Sequence, residues 1–342
     1  MNTFLFNPDY MAKYYNCSGR TYDEWKALGN PNIVVGIIYA VPGFIYWAIL
    51  IPFLIVFVKS DFMQYSCYKI MFVLGLIDCL ELPVAGFYCG YGAAVGMVYC
   101  MAPTMNYICG CILMACWCGG SMACVLLALN RCIDLINPQL GQNLFAGKRT
   151  VIWLMLPIAY FSYIFFFHAP TVFNSSIHAL FSDPFVGTPE RHGLLDDEHY
   201  PYIFHSIHNT VLVIVLPAVY ASLLVHLSVK AAQSHDRIKM SKIQRQMFLQ
   251  CTLICTTTFI DAGIYVCLQF FPTPVWIIVF GHTAWQLSHG AAGISYAFLN
   301  PTMRKELAKI FRPKAKVVPS TGTSNTTKPT APENPQPAAM NY

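Results

Sequence analysis

The segment YICGCILMACWCGGSMACVLLAL, residues 107–129, decides the fold. It contains no charged residue and no proline, and it exceeds the roughly 20 residues that a helix needs to cross a bilayer. An Asn-Arg-Cys triplet follows directly at 130–132. Arg131 then has two interpretations, an interfacial anchor of a membrane helix or a conformational latch on the cytosolic side. The segment predicts a transmembrane helix that ends in a guanidinium group.

The composition indicates an integral membrane protein. Charged residues make up 11% of the chain, against about 25% in a soluble domain. The net charge of +5 follows the predicted membrane topology, so no nucleic-acid partner is expected. Most of the 14 cysteines lie inside apolar segments, where cysteine behaves as a small hydrophobic residue. The pairs at 109/111 and 116/118 have no nearby His or carboxylate, so neither a metal site nor a cofactor is predicted.

Seven apolar spans are predicted, at about residues 33–58, 67–91, 107–129, 151–170, 203–229, 247–271 and 275–299. With the N-terminus outside, four of the 21 basic residues lie on the outer side, and the other seventeen are cytosolic. The positive-inside rule therefore favours an outer N-terminus and a cytosolic C-terminus, which requires an odd number of crossings. We expect an all-α membrane protein with a bundle of seven transmembrane helices.

The segments that flank the bundle have their own signatures. Residues 1–32 lack the apolar core of a cleaved signal peptide and are expected to be an extracellular N-terminus, followed by the bundle at 33–299. Sequons predict glycosylation at Asn16 and Asn174. Residues 300–312 predict a short amphipathic eighth helix on the membrane surface, in contact with lipids. Residues 313–342 are rich in Pro, Ser and Thr and predict a disordered cytoplasmic tail.

Several motifs within the predicted spans resemble those of a rhodopsin-like G-protein-coupled receptor. The Asn-Arg-Cys triplet resembles the family's Asp-Arg-Tyr element, and Gly293-Ile294-Ser295-Tyr296 lies where Pro-x-x-Tyr is expected. Asp78, Trp153 and Pro217 match the family's second-, fourth- and fifth-helix residues. The first helix lacks the usual Gly-Asn pair, the sixth lacks Cys-Trp-x-Pro, and the second outer loop lacks a cysteine. With the YWAILIP segment at 46–52, residues 1–311 are most similar to nematode serpentine chemoreceptors of class T.

The resemblance implies a chemosensory receptor rather than an enzyme. Its expected partners are a small-molecule or pheromone-like ligand, a heterotrimeric G protein and an arrestin-like protein, at the plasma membrane of sensory cells. The residues that it implies for activation and G-protein coupling are Asn130, Arg131, Cys132, Asp134 and Tyr296. The usual disulfide between the third helix and the second loop cannot form. Cys17, Cys89 and Cys100 are the outer candidates, and Cys17 with Cys100 is favoured.

Helix geometry predicts a polar contact in the middle of the membrane. Asp78 lies roughly 13 Å above Lys69, and His289 lies about 16 Å above Asn300, at 1.5 Å per residue. The two side chains are therefore expected to meet beside Ser288, as a polar hinge that holds sodium or a proton, or as a simple buried hydrogen bond. Glu81 is either a further functional carboxylate or is near enough to the outside to be hydrated.

A ligand pocket is expected in the outer half of the bundle, with aromatic and apolar walls and few polar groups. Asp261 is the leading candidate for a ligand contact, because an unpaired carboxylate at membrane depth is costly. The alternative is a pair with His282 or with a tyrosine. His205 and His208 either line the entrance or lie in the headgroup zone. The expected contact residues are Leu113, Met114, Trp117, Asp261, Tyr265, His282, Trp285 and Gln286.

Two other functions have the same number of membrane crossings or similar hydropathy. A seven-pass ligand-gated channel of inverted topology conflicts with the distribution of basic residues. A small-molecule transporter is expected to show internal repeats and several charges at the midplane, and no repeat is present in the sequence.

Overall fold

The computed structural model describes residues 1–189, 203–233, 242–271 and 273–311. The predicted tail at 313–342 lies outside these residues. In chain order the helices are α1 (Asn2–Phe6), α2 (Pro8–Tyr14), α3 (Tyr22–Ala27), α4 (Ile33–Lys59), α5 (Ser66–Pro83), α6 (Cys89–Val95), α7 (Pro103–Ile136), α8 (Pro138–Phe145), α9 (Arg149–Phe167), α10 (Ile203–Gln233), α11 (Lys242–Phe270), α12 (Val275–Leu299) and α13 (Pro301–Phe311). A π-helical turn, Val84–Tyr88, joins α5 to α6. Strands β1 (Val172–Asn174) and β2 (Ala179–Phe181) form an antiparallel hairpin.

Seven long helical segments form the predicted bundle: α4, α5 with α6, α7, α9, α10, α11 and α12. The first six are long and apolar enough to cross a membrane. The seventh, α12, has 25 residues, about 37 Å at the helical rise, and packs along α4 and α11. Its buried side carries the polar residues His282, Gln286 and His289.

Helix α7 is the central helix of the bundle. Of its most apolar segment 78% is buried, against 33% in α4 and 22% in α9. It packs against α5, α9, α10 and α11. Where α7 meets α9, a Cβ on Gly119 would lie 2.8 Å from the Cβ of Phe161, so this contact requires glycine. The helix that dominates the sequence therefore also organises the packing.

The cytosolic end of α7 differs from the prediction. The apolar segment stops at Leu129, but the helix continues to Ile136. Asn137 then caps the start of α8, because its side-chain oxygen accepts from the backbone N–H of Leu140 at 3.1 Å. Nothing between these positions breaks a helix until Pro138. Arg131 consequently lies within the last two turns of α7, and its side chain is held against the helix rather than hanging from its end.

The outer end is covered by a folded cap that the hydropathy pattern did not predict. Helices α1–α3 pack over this end. At the start of α3, hydrogen bonds from Thr21 lower the pKa of Glu24. The hairpin turn reaches inward, where the carbonyl of His178 accepts from the Tyr39 hydroxyl at 2.7 Å and burial lowers the pKa of His178. Trp25 is buried in this cap against Phe185.

A disulfide joins the cap to the bundle. Cys17 and Cys100 are bonded, with their Cα atoms 5.4 Å apart. Cys89, the third outer candidate, is a free and buried thiol. The N-terminal segment is thereby tied to the chain immediately before α7.

Helix α13 turns away from the bundle after Asn300, as expected for the eighth helix. Met303 is fully buried, and Leu307 and Ile310 pack against the same core. Phe311, predicted on the same face, is 65% exposed at the end of the helix. The amphipathic pattern therefore fixes this helix to the cytosolic end of the bundle, where an exposed Phe311 is suited to the membrane surface.

Candidate functional site

Asp78 and His289 meet in the middle of the bundle. The Nδ1 of His289 lies 2.8 Å from Asp78 Oδ1, and both side chains are buried. The Ser288 hydroxyl instead donates to the carbonyl of Trp285 at 2.8 Å, so it does not extend this pair. A cavity of about 10 Å³ lies beside them, with Thr258 and Trp117 in its wall. That volume admits one water molecule, and the polar wall is suited to holding it.

The predicted ligand contacts form one layer at the outer side of this cavity, and one of them, Trp117, also lines it. Met114, Trp285 and Asp261 lie about one helical turn outward of Trp117, His289 and Thr258, which line the cavity. Leu113, Met114, Trp117 and Trp285 belong to one buried apolar cluster, and Tyr265 packs against it. The eight predicted ligand contacts are therefore divided between this cluster and the polar groups beside it.

The polar groups of this layer are arranged by an irregularity in the second span. Pro83 precedes the π-helical turn Val84–Tyr88, which frees backbone carbonyls from the helical pattern. The carbonyl of Ala85 accepts from Gln286 Nε2 at 2.9 Å and lies 3.1 Å from His282 Nε2. His282 is thus bound to the backbone, and the alternative in which it pairs with Asp261 is wrong.

Asp261 has no hydrogen-bond partner within the described part of the chain. Its side chain is fully buried, and neither carboxylate oxygen has a donor there. Glu81, one turn outward of Asp78, is in the same condition, with both oxygens buried and without a donor among the described residues. The interpretation of Glu81 as a hydrated outer residue is therefore wrong. Its Oε2 lies 3.9 Å from His289 Nδ1.

Helix α10 contributes polar residues that are not among the eight predicted ligand contacts. Asn209 Oδ1 accepts from the indole N–H of Trp117 at 2.9 Å. His208 lies 2.9 Å from the Ser121 hydroxyl and 3.0 Å from the Tyr160 hydroxyl. These contacts place His208 inside the bundle rather than in the headgroup zone. The sequence signal is the polar run His-Ser-Ile-His-Asn at 205–209 in an apolar span, because polar groups at membrane depth face the interior.

His205 is also drawn into the bundle. Its two ring nitrogens lie 3.3 Å from Asn209 Nδ2 and 3.2 Å from Gln269 Nε2, and its ring meets that of Tyr265 at 5.7 Å. Because Gln269 belongs to the outer end of α11, His205 links α10 to α11 above the ligand layer.

At the cytosolic end, Arg131 is held by its own helix. Its guanidinium donates to Asn130 Oδ1 from Nε at 3.1 Å and from a terminal nitrogen at 2.6 Å, and also to Asp134 Oδ2. Asn130 in turn donates to the Ser66 hydroxyl of α5 at 3.1 Å. We call Asn130, Arg131 and Asp134 the latch. It contains the carboxylate that the Asn-Arg-Cys triplet lacks, supplied three residues later.

The side chains of the other predicted activation residues, Cys132 and Tyr296, bond to groups outside the latch. Cys132 Sγ lies 3.7 Å from the carbonyl of Val219 on α10. The Tyr296 hydroxyl donates to the carbonyl of Met71 at 3.4 Å, and its ring packs against Phe57. Tyr296 therefore joins α12 to α5, one level above Arg131.

The two sequons differ in accessibility. Asn16 is exposed, and its side-chain oxygen accepts from Ser18 N–H at 2.9 Å. Asn174 is fully buried in β1, and its Nδ2, the atom that would carry a glycan, donates to the carbonyl of Val186 at 2.9 Å. The folded structure leaves no room for a glycan there, so the glycosylation expectation is retained for Asn16 and is wrong for Asn174.

Two comparisons with known proteins agree with this architecture. A family model described as "Serpentine type 7TM GPCR chemoreceptor Srt" matches residues 2–319. The chain is also similar to Serpentine receptor class T-55 of Caenorhabditis elegans, with 30% identity over 300 residues. That alignment covers 87% of this chain and 80% of the relative.

Proposed function

Because this chain belongs to the Srt family of serpentine seven-transmembrane chemoreceptors, we propose that it binds a small molecule in the outer half of its bundle and signals through a cytosolic heterotrimeric G protein. The ligand is a small-molecule or pheromone-like compound. The receptor acts at the plasma membrane of sensory cells. Residues 1–32 are extracellular, Asn16 carries a glycan, and residues 313–342 form the cytoplasmic tail.

The latch is the observation that carries this proposal. Arg131 is 8% exposed, and within the described residues its guanidinium makes three hydrogen bonds, all to acceptors on α7 itself. A guanidinium at the cytosolic end that donates to acceptors of its own helix can exchange these partners for groups of another protein without unfolding the bundle. This arrangement is suited to an inactive state that a G protein competes for.

Activation then requires two arrangements of the bundle that differ little in free energy. In the rhodopsin-like G-protein-coupled receptors that the motifs resemble, the sixth helix moves outward and opens a cleft for the Gα C-terminus. Here that helix is α11, which contacts α7 through Cys255 and Cys124, with sulfur atoms 3.2 Å apart. Such weak thiol contacts offer little resistance to separation. An arrestin-like protein would use the same cleft.

The Asp78–His289 pair is suited to connecting the two ends. It lies between the ligand layer and the latch, and it joins α5 to α12. A ligand that moves α12 by its contacts with Trp285 or Gln286 would alter this pair one turn below. We assign Asp78 and His289, with Ser288 beside them in the cavity wall, to a hinge that transmits ligand binding toward the cytosol.

The experiment is expression with a promiscuous Gα subunit and a calcium reporter, followed by a screen of odorants and pheromone-like glycolipids. We expect at least one compound to give a response that requires the receptor. Arg131→Ala should abolish that response at equal surface expression, whereas Arg304→Ala, an exposed cation on α13, should leave it intact. A response that survives Arg131→Ala would contradict G-protein coupling through the latch.

A further inference from the structure

The interior of the bundle contains more carboxyl groups than it can neutralise. Asp78, Glu81 and Asp261 are each at most 1% exposed. Among the described residues, the basic side chain that contacts these carboxyls is His289, which reaches two of the three. It bonds to Asp78 at 2.8 Å and lies 3.9 Å from Glu81. One imidazolium balances one carboxylate, which leaves Glu81 and Asp261 to be neutralised in another way.

The unsatisfied hydrogen-bonding atoms around these two residues are mostly acceptors. Both oxygens of Glu81, both oxygens of Asp261 and Oε1 of Gln286 are buried without a donor in the described residues. Each such orphaned group destabilises the folded protein, and more so if it is charged. Protonation of the two carboxyls would remove the charge, but it would leave most of the acceptor oxygens unsatisfied. An occupant that supplies several N–H donors and a positive charge would satisfy both requirements.

The position of the two carboxyls is that of the proposed ligand layer. Glu81 lies one turn outward of Asp78, and Asp261 one turn outward of Thr258, so both lie just above the cavity of about 10 Å³. The aromatic ring of Trp285 stands nearby, 5.4 Å from the ring of His282 and 5.9 Å from that of His289. Aromatic faces also attract cations.

We propose that the ligand of this receptor is a small organic compound with a primary ammonium group, which binds between Glu81 and Asp261. The ammonium donates its N–H groups to these carboxylates and to Gln286 Oε1, and the hydrocarbon part packs against Trp285 and Met114. This inference rests on the proposed function and names the chemical class of its ligand. Glu81 thereby becomes a binding residue beside the predicted Asp261.

A primary ammonium is favoured over other cations by the number of acceptors. Three N–H donors satisfy three of the five orphaned oxygens directly, whereas a quaternary ammonium has no donor for any of them. An alkali cation has no hydrocarbon part that could pack against the apolar cluster that forms the rest of the layer. Binding should therefore depend on the N–H groups as well as on the charge.

The test uses the purified full-length receptor in lipid nanodiscs and measures thermal unfolding with added compounds. The probes are primary amines from benzylamine through 2-phenylethylamine to tryptamine, with 2-phenylethanol and phenyltrimethylammonium as neutral and quaternary counterparts. We expect at least one primary amine to raise the unfolding temperature in a saturable manner. Its two counterparts should give no shift at the same concentrations.

Two variants locate the site. Asp261→Asn and Glu81→Gln each retain the shape of the side chain and remove its charge, so each should weaken amine binding at least tenfold. Asp61→Asn changes an exposed cytosolic carboxylate and should leave binding unchanged. If one of the two core variants fails to fold, the other still tests the site. The inference is overturned if no primary amine shifts the wild type, if 2-phenylethanol acts equally, or if the folded core variants bind amines as the wild type does.

The amine-binding test and the signalling screen can fail independently of each other. A receptor that responds through the G protein to neutral compounds only, and binds no amine, would retain the proposed function and lose the amine site. A receptor that binds amines through Asp261 but never activates a Gα subunit would retain the site and lose the coupling.

Discussion

Removal of the Asp134 carboxylate should raise the basal activity of this receptor. Asp134 accepts a hydrogen bond from the Arg131 guanidinium, and a hydrogen bond to a charged group contributes about 1.5–3 kcal/mol. The side chain of Asp134 is 30% exposed, against 9% for that of Arg131. Water therefore screens part of this interaction, and about 1–2 kcal/mol remains for the inactive arrangement.

A loss of that size corresponds to a factor of roughly 5–30 in an equilibrium constant. We therefore expect Asp134→Ala to increase the ratio of active to inactive receptor about tenfold, provided that the active state does not use Asp134. Ligand-independent signalling through a promiscuous Gα subunit, normalised to surface expression, measures this change. Asn130→Asp adds a carboxylate beside the same guanidinium and should lower the basal signal.

The matched control is Asp61→Ala, because Asp61 is an exposed carboxylate near the cytosolic end of α4 and outside the latch. It should signal at the wild-type basal level. If Asp134→Ala also signals at that level when equally expressed, Asp134 does not restrain Arg131 and the reasoning fails.

Three further predictions concern the structure around the latch and the outer cap. Gly141→Ala places a Cβ against the carboxylate of the latch, so basal signalling should rise in the same assay; an unchanged signal would show that the carboxylate moves aside freely. Cys17→Ser opens the disulfide, and loss of a native disulfide costs about 2–5 kcal/mol, so the purified receptor should unfold at a lower temperature. Cys267→Ser, at an exposed free thiol, should not change the unfolding temperature. Asn16→Gln should remove the glycosidase-sensitive shift in the gel mobility of the receptor taken from cell membranes, and Asn174→Gln should leave that shift in place. The reverse result would contradict the burial of the second sequon.

The membrane-spanning helices were predictable because the bilayer imposes their length and polarity. An uncharged segment such as residues 107–129 has few alternatives to a helix in lipid. The contact of Asp78 with His289 was predictable for a related reason, because a fixed rise per residue places them at similar depths. Distances along a straight helix are thus readable from a sequence once the membrane fixes its direction.

Contacts that depend on packing between distant segments were not predictable in this way. The hydrogen bond from Trp117 to Asn209 requires the rotation of α7 and α10 about their axes, which hydropathy does not specify. The bonds to the Ala85 carbonyl depend on how the backbone relaxes after Pro83. The sequon at Asn174 is readable, but its burial arises from the fold of the outer hairpin.

Nucleotide exchange on a purified Gα subunit, catalysed by purified receptor in nanodiscs, tests the central claim most directly. We predict that Asp134→Ala accelerates exchange above the wild-type rate, because it frees the Arg131 guanidinium. Adding Arg131→Ala to that variant should return exchange to the rate without receptor. If the double variant exchanges nucleotide as fast as the single variant, Arg131 is not the coupling residue and the proposed signalling mechanism is contradicted.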